Sequence, residues 1–255
     1  MTLEIVTLPT LSDNYNFLLH DQNTGQTALV DAPEDASIAA ELKRRGWNLD
    51  VILLTHHHWD HADGAKALAE EFGAEIIGAS ADAHRLPPLT KSVDAGDVFE
   101  LFGREVQVID VSGHTVGHVA FYIPQEKALF SGDSLMALGC GRLFEGTPAQ
   151  MFASLSTLAA LPEDTVVYSG HEYTAANAAF ALSIEPGNQA LQNRVSAIKA
   201  ARSKNNPTVP SLLSDELATN PFLRSASPEV QATVGLTGAD LVDIFTEVRK
   251  RKDNF

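Results

Sequence analysis

A single cysteine, Cys140, occurs in the 255 residues, so no disulfide can close within the chain and a reducing compartment, the cytoplasm, is the expected setting. Cations are scarce too. Eighteen Lys and Arg stand against 33 Asp and Glu, a formal net charge of −15. A duplex nucleic-acid binder draws its affinity from cations on phosphates, so that class is excluded. No apolar run approaches the ~18 residues that a membrane-spanning helix requires. Met1-Thr2-Leu3-Glu4 puts no basic stretch ahead of an apolar one, so no secretory leader is expected. Internal repeats, low-complexity tracts and Gly/Ser linkers are also missing. What remains is 44% hydrophobic, too apolar for disorder and long enough to bury a core without staples.

The acid excess is uneven. Residues 1–173 hold 25 acidic and 9 basic residues, a net of −16, whereas residues 174–255 hold 8 and 9, a net of +1. Such a shift marks a domain boundary or a functional patch. The local patterns change at the same place. Apolar clusters between turn signals predict strands over 3–8, 15–20, 27–31, 51–54, 75–78, 98–101, 105–111, 118–123, 127–131 and 165–169. Helical spacing covers 35–45, a segment from Asp63 or Gly64 to Phe72, and 148–160, with Gly46 and Gly73 as stops. After Tyr173 helical periodicity dominates, over 174–184, 188–204, 228–233 and 237–250, punctuated by Pro207, Pro210 and Pro221. The chain therefore reads as a mixed α/β domain over 1–173 followed by a helical domain over 174–255.

Four predicted strands end abruptly in metal-ligand residue types. Val51–Leu54 runs into Thr55-His56-His57-His58-Trp59-Asp60-His61, and the strand over 105–111 into Ser112-Gly113-His114. The strand over 127–131 leads to Gly132-Asp133, and that over 165–169 to Gly170-His171. Strand ends are where α/β proteins assemble sites, because a rigid sheet holds the side chains and loops deliver them. His56 and His58, two apart on an extended segment, point the same way and can chelate one ion. Asp60 and His61 follow and can reach a second. Two ions need a bridging anion, and Asp133 at a strand end supplies one. Imidazole with carboxylate suits zinc, and also iron or manganese. His57, between two ligands, should point away. His118 is expected to pack or to orient a ligand, and His20 and His84 lack any ligand spacing.

Thr-His-His-His-Trp-Asp-His (55–61), with His114, Asp133 and His171 following in order, resembles the H-x-H-x-D-H pattern of the metallo-β-lactamase superfamily. Further segments narrow the likeness: Gly-His-Thr-Val-Gly-His (113–118), Ser-Gly-Asp-Ser-Leu (131–135), Gly-Cys-Gly-Arg-Leu-Phe-Glu-Gly-Thr (139–147), Ser-Gly-His-Glu-Tyr-Thr (169–174), Asn-Pro-Phe-Leu-Arg (220–224) and the ending Val-Arg-Lys-Arg-Lys-Asp-Asn-Phe (248–255). Together they resemble the glyoxalase II, or hydroxyacylglutathione hydrolase, family over essentially the whole chain.

That resemblance implies an α/β fold, an αββα sandwich with a helical C-terminal domain. It implies a binuclear centre in which His56, His58 and His114 bind one metal, Asp60, His61 and His171 the other, and Asp133 bridges. It implies hydrolysis of S-D-lactoylglutathione to glutathione and D-lactate, the second step of methylglyoxal detoxification. The glutathione contacts fall on Arg142, Phe144, Tyr173, Arg249 and Lys252, with Phe144 standing where some relatives carry tyrosine.

The chemistry of the residues agrees. A glutathione thioester is a net anion, and arginine pairs with carboxylate in two-pronged fashion. Arg142 follows a Gly-Cys-Gly loop whose backbone can approach a ligand closely. Arg249 and Lys252, three apart, share a helix face. A hydroxide bridging two cations would attack the thioester carbonyl, oriented by Asp60, and the departing thiolate, with a reference pKa of about 8.5, needs no dedicated acid. Cys140 has no triad partners around it and is not expected to be a nucleophile. A monomer is expected. An alternative within the superfamily is a single-iron glutathione persulfide dioxygenase. A nuclease would need a basic surface, a lactonase leaves the tail unexplained, and a non-catalytic metal binder leaves the intact substrate positions unexplained.

Overall fold

In the computed structural model, which describes residues 3–255, the first six strands form one mixed sheet in sequential order. Met1 and Thr2, part of the stretch without leader character, lie outside the described residues. Strands β1 (Leu3–Thr10), β2 (Asn14–Asp21) and β3 (Thr27–Val30) form an antiparallel meander. Strands β4 (Val51–Leu54), β5 (Glu75–Ala79) and β6 (Lys91–Val93) continue it in parallel. Parallel neighbours need crossovers, and helices supply them. α1 (Ala36–Arg45) joins β3 to β4, and α2 (Trp59–Ala62) and α3 (Ala65–Phe72) join β4 to β5. Ile38 and Leu42 of α1 and Ala65 and Leu68 of α3 bury themselves with Leu29, Ile52, Leu54 and Ile76 of the strands. Burial against helices explains the continuous Val-Ile-Leu-Leu run of β4.

The second sheet is antiparallel, with β7 (Val98–Leu101), β8 (Arg104–Asp110), β9 (Val119–Ile123) and β10 (Ala128–Gly132). It meets the first sheet through Phe17 of β2 and Phe130 of β10, whose ring centroids lie 5.6 Å apart. Buried Arg104 pairs with Asp21 of β2 and donates to Glu126 at 2.6 Å. Its guanidinium holds the Asp21 carboxyl well below the usual carboxylate range.

These elements belong to the first of two compact units, which takes in the described residues up to Asp110 and Gly117–Gly132. The second comprises Val111–Val116 and Asp133–Phe255. It opens with a hairpin of β11 (Leu135–Met136) and β12 (Gly139–Cys140). α4 (Pro148–Ala159) follows, started by a capping box between Thr147 and Gln150 with proline at the first position. β13 (Val166–Ser169) pairs antiparallel with β14 (Ser211–Leu212). α5 (Thr174–Ile184), α6 (Gln189–Arg202), α7 (Leu213–Thr219), α8 (Pro228–Val234) and α9 (Leu241–Asp253) make up the rest.

The α/β class and the helical character after Tyr173 agree with the sequence. Five elements escape a reading from sequence. They are the turn α2, helix α7, strands β6 and β14 and the hairpin β11–β12, all of seven residues or fewer, where a period has little length in which to show. The last helix, expected from 237, begins at Leu241. Gly238 takes φ +78°, and Asp240 caps the helix by accepting from the Val242 N–H at 2.9 Å.

Candidate metal centre and ligand-facing residues

The first unit carries His56, His58, Asp60 and His61. Past β4 the chain bends at Thr55, is extended at His58 (φ −60°, ψ 143°) and then makes the single helical turn α2. His56 and His58 come together there, with His56 Nε2 3.1 Å from His58 Nδ1. The helical turn brings Asp60 and His61 back to them. The His56 and His61 ring centroids are 4.2 Å apart, and donor atoms of Asp60 and His61 lie within 4.8 Å of each other. The turn is pinned by the Ala32 N–H, which donates to the His61 carbonyl at 2.7 Å. His57 faces away, its Nδ1 2.9 Å from Asp82 Oδ2.

Proton counting fixes which imidazole nitrogens are bare. Thr55 Oγ1 donates its one proton to Asp31 Oδ2 at 2.8 Å, so at 3.0 Å from His56 Nδ1 it can only accept. His56 therefore carries its proton on Nδ1 and presents a lone pair at Nε2. His61 Nδ1 donates to the same Asp31 Oδ2 at 2.8 Å, which leaves its Nε2 bare. Asp31 follows β3 directly in the left-handed conformation, φ +59°. Metal-bound histidines are held in this way by a carboxylate behind the ring. Asn14 Nδ2 does similar service for Asp60, donating to its carbonyl at 2.9 Å and its Oδ2 at 3.3 Å. His118 lies flat on His56, with centroids 4.5 Å apart and planes 12° from parallel. Gly132 closes beneath both. A Cβ there would come within 2.6 Å of Thr55 Oγ1 and 2.8 Å of His118 Cε1.

The second unit brings together His114, Asp133 and His171. His114 Nε2 is 3.4 Å and His171 Nε2 3.2 Å from one oxygen, Asp133 Oδ2. His114 Nδ1 donates to the Arg142 carbonyl at 2.8 Å, so in the neutral imidazole Nε2 turns a lone pair toward the lone pairs of the carboxylate. That opposition is relieved by a cation. Nitrogen and carboxylate donors suit zinc and its first-row neighbours, so the residues fit divalent metal. Gly141 allows the close approach, since a Cβ there would meet the Asp133 carbonyl at 2.0 Å and His114 Nδ1 at 2.9 Å. Aromatic rings back two of these side chains. Phe144, 63% exposed, sets its ring edge-on to His114 at 5.3 Å, and Tyr173 stacks on His171 at 4.6 Å.

The same unit holds Arg142, Arg249 and Lys252, the two arginines on one carboxylate. Asp253 Oδ1 lies 2.8 Å from Arg249 Nη2 and 3.9 Å from the exposed Arg142 Nε. Arg249 is only 5% exposed. It donates to the Cys140 carbonyl at 3.0 Å and lies 5.0 Å over the Phe222 ring. Lys252 Nζ sits 5.2 Å over Phe180, and burial, then the charge of Arg249, lowers its pKa from the ordinary lysine value. Lys250 and Arg251 turn instead to Glu247. Cys140 lies buried in β12, and burial pushes its thiol up to about 11, which agrees with its having no nucleophilic role. Glu172, beside His171, accepts from the Thr208 N–H at 2.9 Å and hydroxyl at 2.6 Å and so anchors the helical segment.

Sequence reasoning missed Asp31, Thr55 and Asn14. Asp31 had a usable signal, because Ala28-Leu29-Val30-Asp31 is a fifth apolar run that ends in a ligand-type residue. Asn14 looks like any turn residue.

Two family descriptions match the chain in succession. Residues 13–171 match the family description "Metallo-beta-lactamase superfamily", and residues 172–255 match "Hydroxyacylglutathione hydrolase C-terminus". The hydroxyacylglutathione hydrolase of Ruegeria pomeroyi is 63% identical over 255 residues, covering 100% of both chains. That of Jannaschia sp. (strain CCS1) is 60% identical, covering 99% of this chain and 98% of the other. Among solved structures, TTHA1623 in a di-iron-bound form aligns with a TM-score of 0.63 at 26% identity, covering 86% of this chain and 100% of that one.

Proposed function

Since the chain belongs to the hydroxyacylglutathione hydrolase family of the metallo-β-lactamase superfamily, we propose that it hydrolyses S-D-lactoylglutathione and related 2-hydroxyacyl glutathione thioesters to glutathione and the hydroxy acid. The observation that carries the reading is the convergence of His114 Nε2 and His171 Nε2 on Asp133 Oδ2. We assign His56, His58 and His114 to one divalent ion, Asp60, His61 and His171 to a second, and Asp133 to both, with zinc as the metal. Such a pair of ions supplies a hydroxide nucleophile at neutral pH and a Lewis acid at the thioester carbonyl.

The chain's own groups do the remaining work. Asp31, directly and through Thr55, keeps the donor nitrogens of His61 and His56 free of protons. Asp60, held by Asn14, accepts a hydrogen bond from the attacking water and aims it. Arg142, Arg249 and Lys252 offset the substrate's carboxylates with a local positive rim on an acidic protein. Phe144 and Tyr173 wall the ligand with exposed ring faces, Phe144 without the hydroxyl that a tyrosine would add. The leaving thiolate is a stable anion and departs without a proton donor. Residues 1–173 then carry the chemistry and 174–255 complete the thioester site.

The second step of methylglyoxal detoxification, cytoplasmic and carried out by a monomer, is the setting this reading implies. No helix among the described residues is long and apolar enough to cross a membrane. The full-length relatives carry the hydrolase name, which favours hydrolysis over single-iron persulfide oxidation. The direct test is thioester loss from S-D-lactoylglutathione by zinc-loaded protein beside Asp133→Ala. Wild type should turn over, and the variant should lose metal and activity together. No turnover by a fully metallated wild type, or full activity in a metal-depleted variant, would refute the reading.

A further inference from the structure

The segment Asn220-Pro221-Phe222-Leu223-Arg224 lies far along the chain from every proposed ligand, yet it is built as tightly as the metal centre. Asn220 is fully buried. The two protons of its Nδ2 are shared among the Met136 carbonyl at 3.1 Å, the Gly139 carbonyl at 2.9 Å and Glu216 Oε2 at 3.1 Å. Its Oδ1 accepts from the Phe222 N–H at 3.1 Å. The carboxamide thus spans the two strands of the hairpin β11–β12 and ties them to the helices.

Three neighbours grip the same hairpin. Glu216, fully buried, accepts from the Leu138 N–H at 2.8 Å at its tip, where Leu138 takes φ +55°. Asn177 of α5 donates to the Ala137 carbonyl at 3.1 Å, and Arg249 to the Cys140 carbonyl at 3.0 Å. The rest of the segment anchors the assembly. Phe222 packs against Phe180 and Phe245, and Arg224 holds Glu185 through two hydrogen bonds of 2.6 and 2.8 Å.

What the hairpin holds at its ends gives this its meaning. Asp133 lies two residues before β11. Arg142, whose carbonyl fixes the His114 tautomer, lies two residues after β12. The Gly141 N–H donates to the Ser134 carbonyl at 3.0 Å and closes the base. Moving one hairpin strand against the other therefore moves the Asp133 carboxylate against the group that orients His114.

We infer that Asn220 is a positioning residue for the ligand pair Asp133 and His114, acting through the hairpin β11–β12. The helical segment then sets the metal geometry as well as facing the substrate. This rests on the metal centre proposed above and goes beyond it.

The test uses the full zinc-loaded chain and reads metal release to a chelator, together with the visible spectrum of the cobalt(II) form. Asn220→Ala should release metal about tenfold faster, as expected for loss of groups behind a ligand, and shift the cobalt bands. It should lower kcat with KM within about twofold. Asn177→Ala, which removes one bond to the hairpin, should move the same readouts less and decides the matter if Asn220→Ala does not fold. Leu42→Ala, in the first unit, should lower Tm and leave metal release unchanged. Hairpin variants that lose stability as Leu42→Ala does, yet keep wild-type release and spectrum, would overturn the inference while leaving the hydrolase reading intact. A wild type that binds no metal would overturn both.

Discussion

The Nδ1 of His61 and the Oδ2 of Asp31 stand 2.8 Å apart, and the same oxygen takes the hydroxyl of Thr55. One carboxylate thereby sets the tautomer of two histidines proposed as ligands of different metals. Asp31→Asn keeps the shape but can turn an N–H toward His61, which reverses the polarity of that bond. Metal affinity should fall by roughly 10- to 100-fold, measured by chelator competition. Wild-type affinity would show that Asp31 serves only the fold.

The two arginines of the cationic cluster should separate in their effects. Arg142 is exposed and 3.9 Å from its carboxylate, so Arg142→Ala should raise KM roughly tenfold, about 1.4 kcal/mol, with kcat and Tm little changed. Arg249 is buried and holds the Cys140 carbonyl, so Arg249→Ala should also cost about 1–3 kcal/mol of stability. KM of the wild type should rise with ionic strength, because the rim acts by partly screened charge. Equal Tm losses in both variants would contradict the division.

Lys252 titrates below the ordinary lysine value because burial and Arg249 disfavour its charged form. Losing that proton removes a positive charge from the proposed anion-binding cluster, so KM should climb as pH rises, beginning below about 10.4. Lys252→Arg keeps its charge and should flatten that climb. An identical profile in the variant would remove Lys252 from substrate binding.

Cys140 should resist alkylation in the folded chain. With its thiol pushed up to about 11, only about a hundredth is thiolate at pH 9, and burial blocks access to that. Iodoacetamide at pH 8–9, followed by mass spectrometry, should label it only after unfolding. Rapid native labelling would mean that β12 opens readily.

Much of this was legible before any coordinates. The abrupt passage from apolar run to His or Asp located the candidate ligand types, because a rigid strand and its following loop are continuous in sequence. The turn of His57 away from His56 and His58 was legible, and its ring faces Asp82. The groups behind the ligands were not. Thr55 earns its meaning from a proton count that involves Asp31, 24 residues earlier, and Asn220 from a hairpin 81 residues earlier at Gly139. Short elements such as α2 and β11–β12 also escaped, because a two-residue strand has no period. Charge gave only a partial view. Within the basic run 249–252, the neighbours of Glu247 and those of Asp253 separate only once α9 has a face.

Gly132 has a consequence for how this sequence can vary. A methyl there would strike Thr55 Oγ1 at 2.6 Å and His118 Cε1 at 2.8 Å, in a backbone of φ +49° that already disfavours any side chain. Displacing Thr55 frees the proton that assigns His56, so one added carbon at position 132 reaches a nitrogen 76 positions earlier. A side chain at 132 then calls for room at both 55 and 118. Those three positions should drift together or not at all.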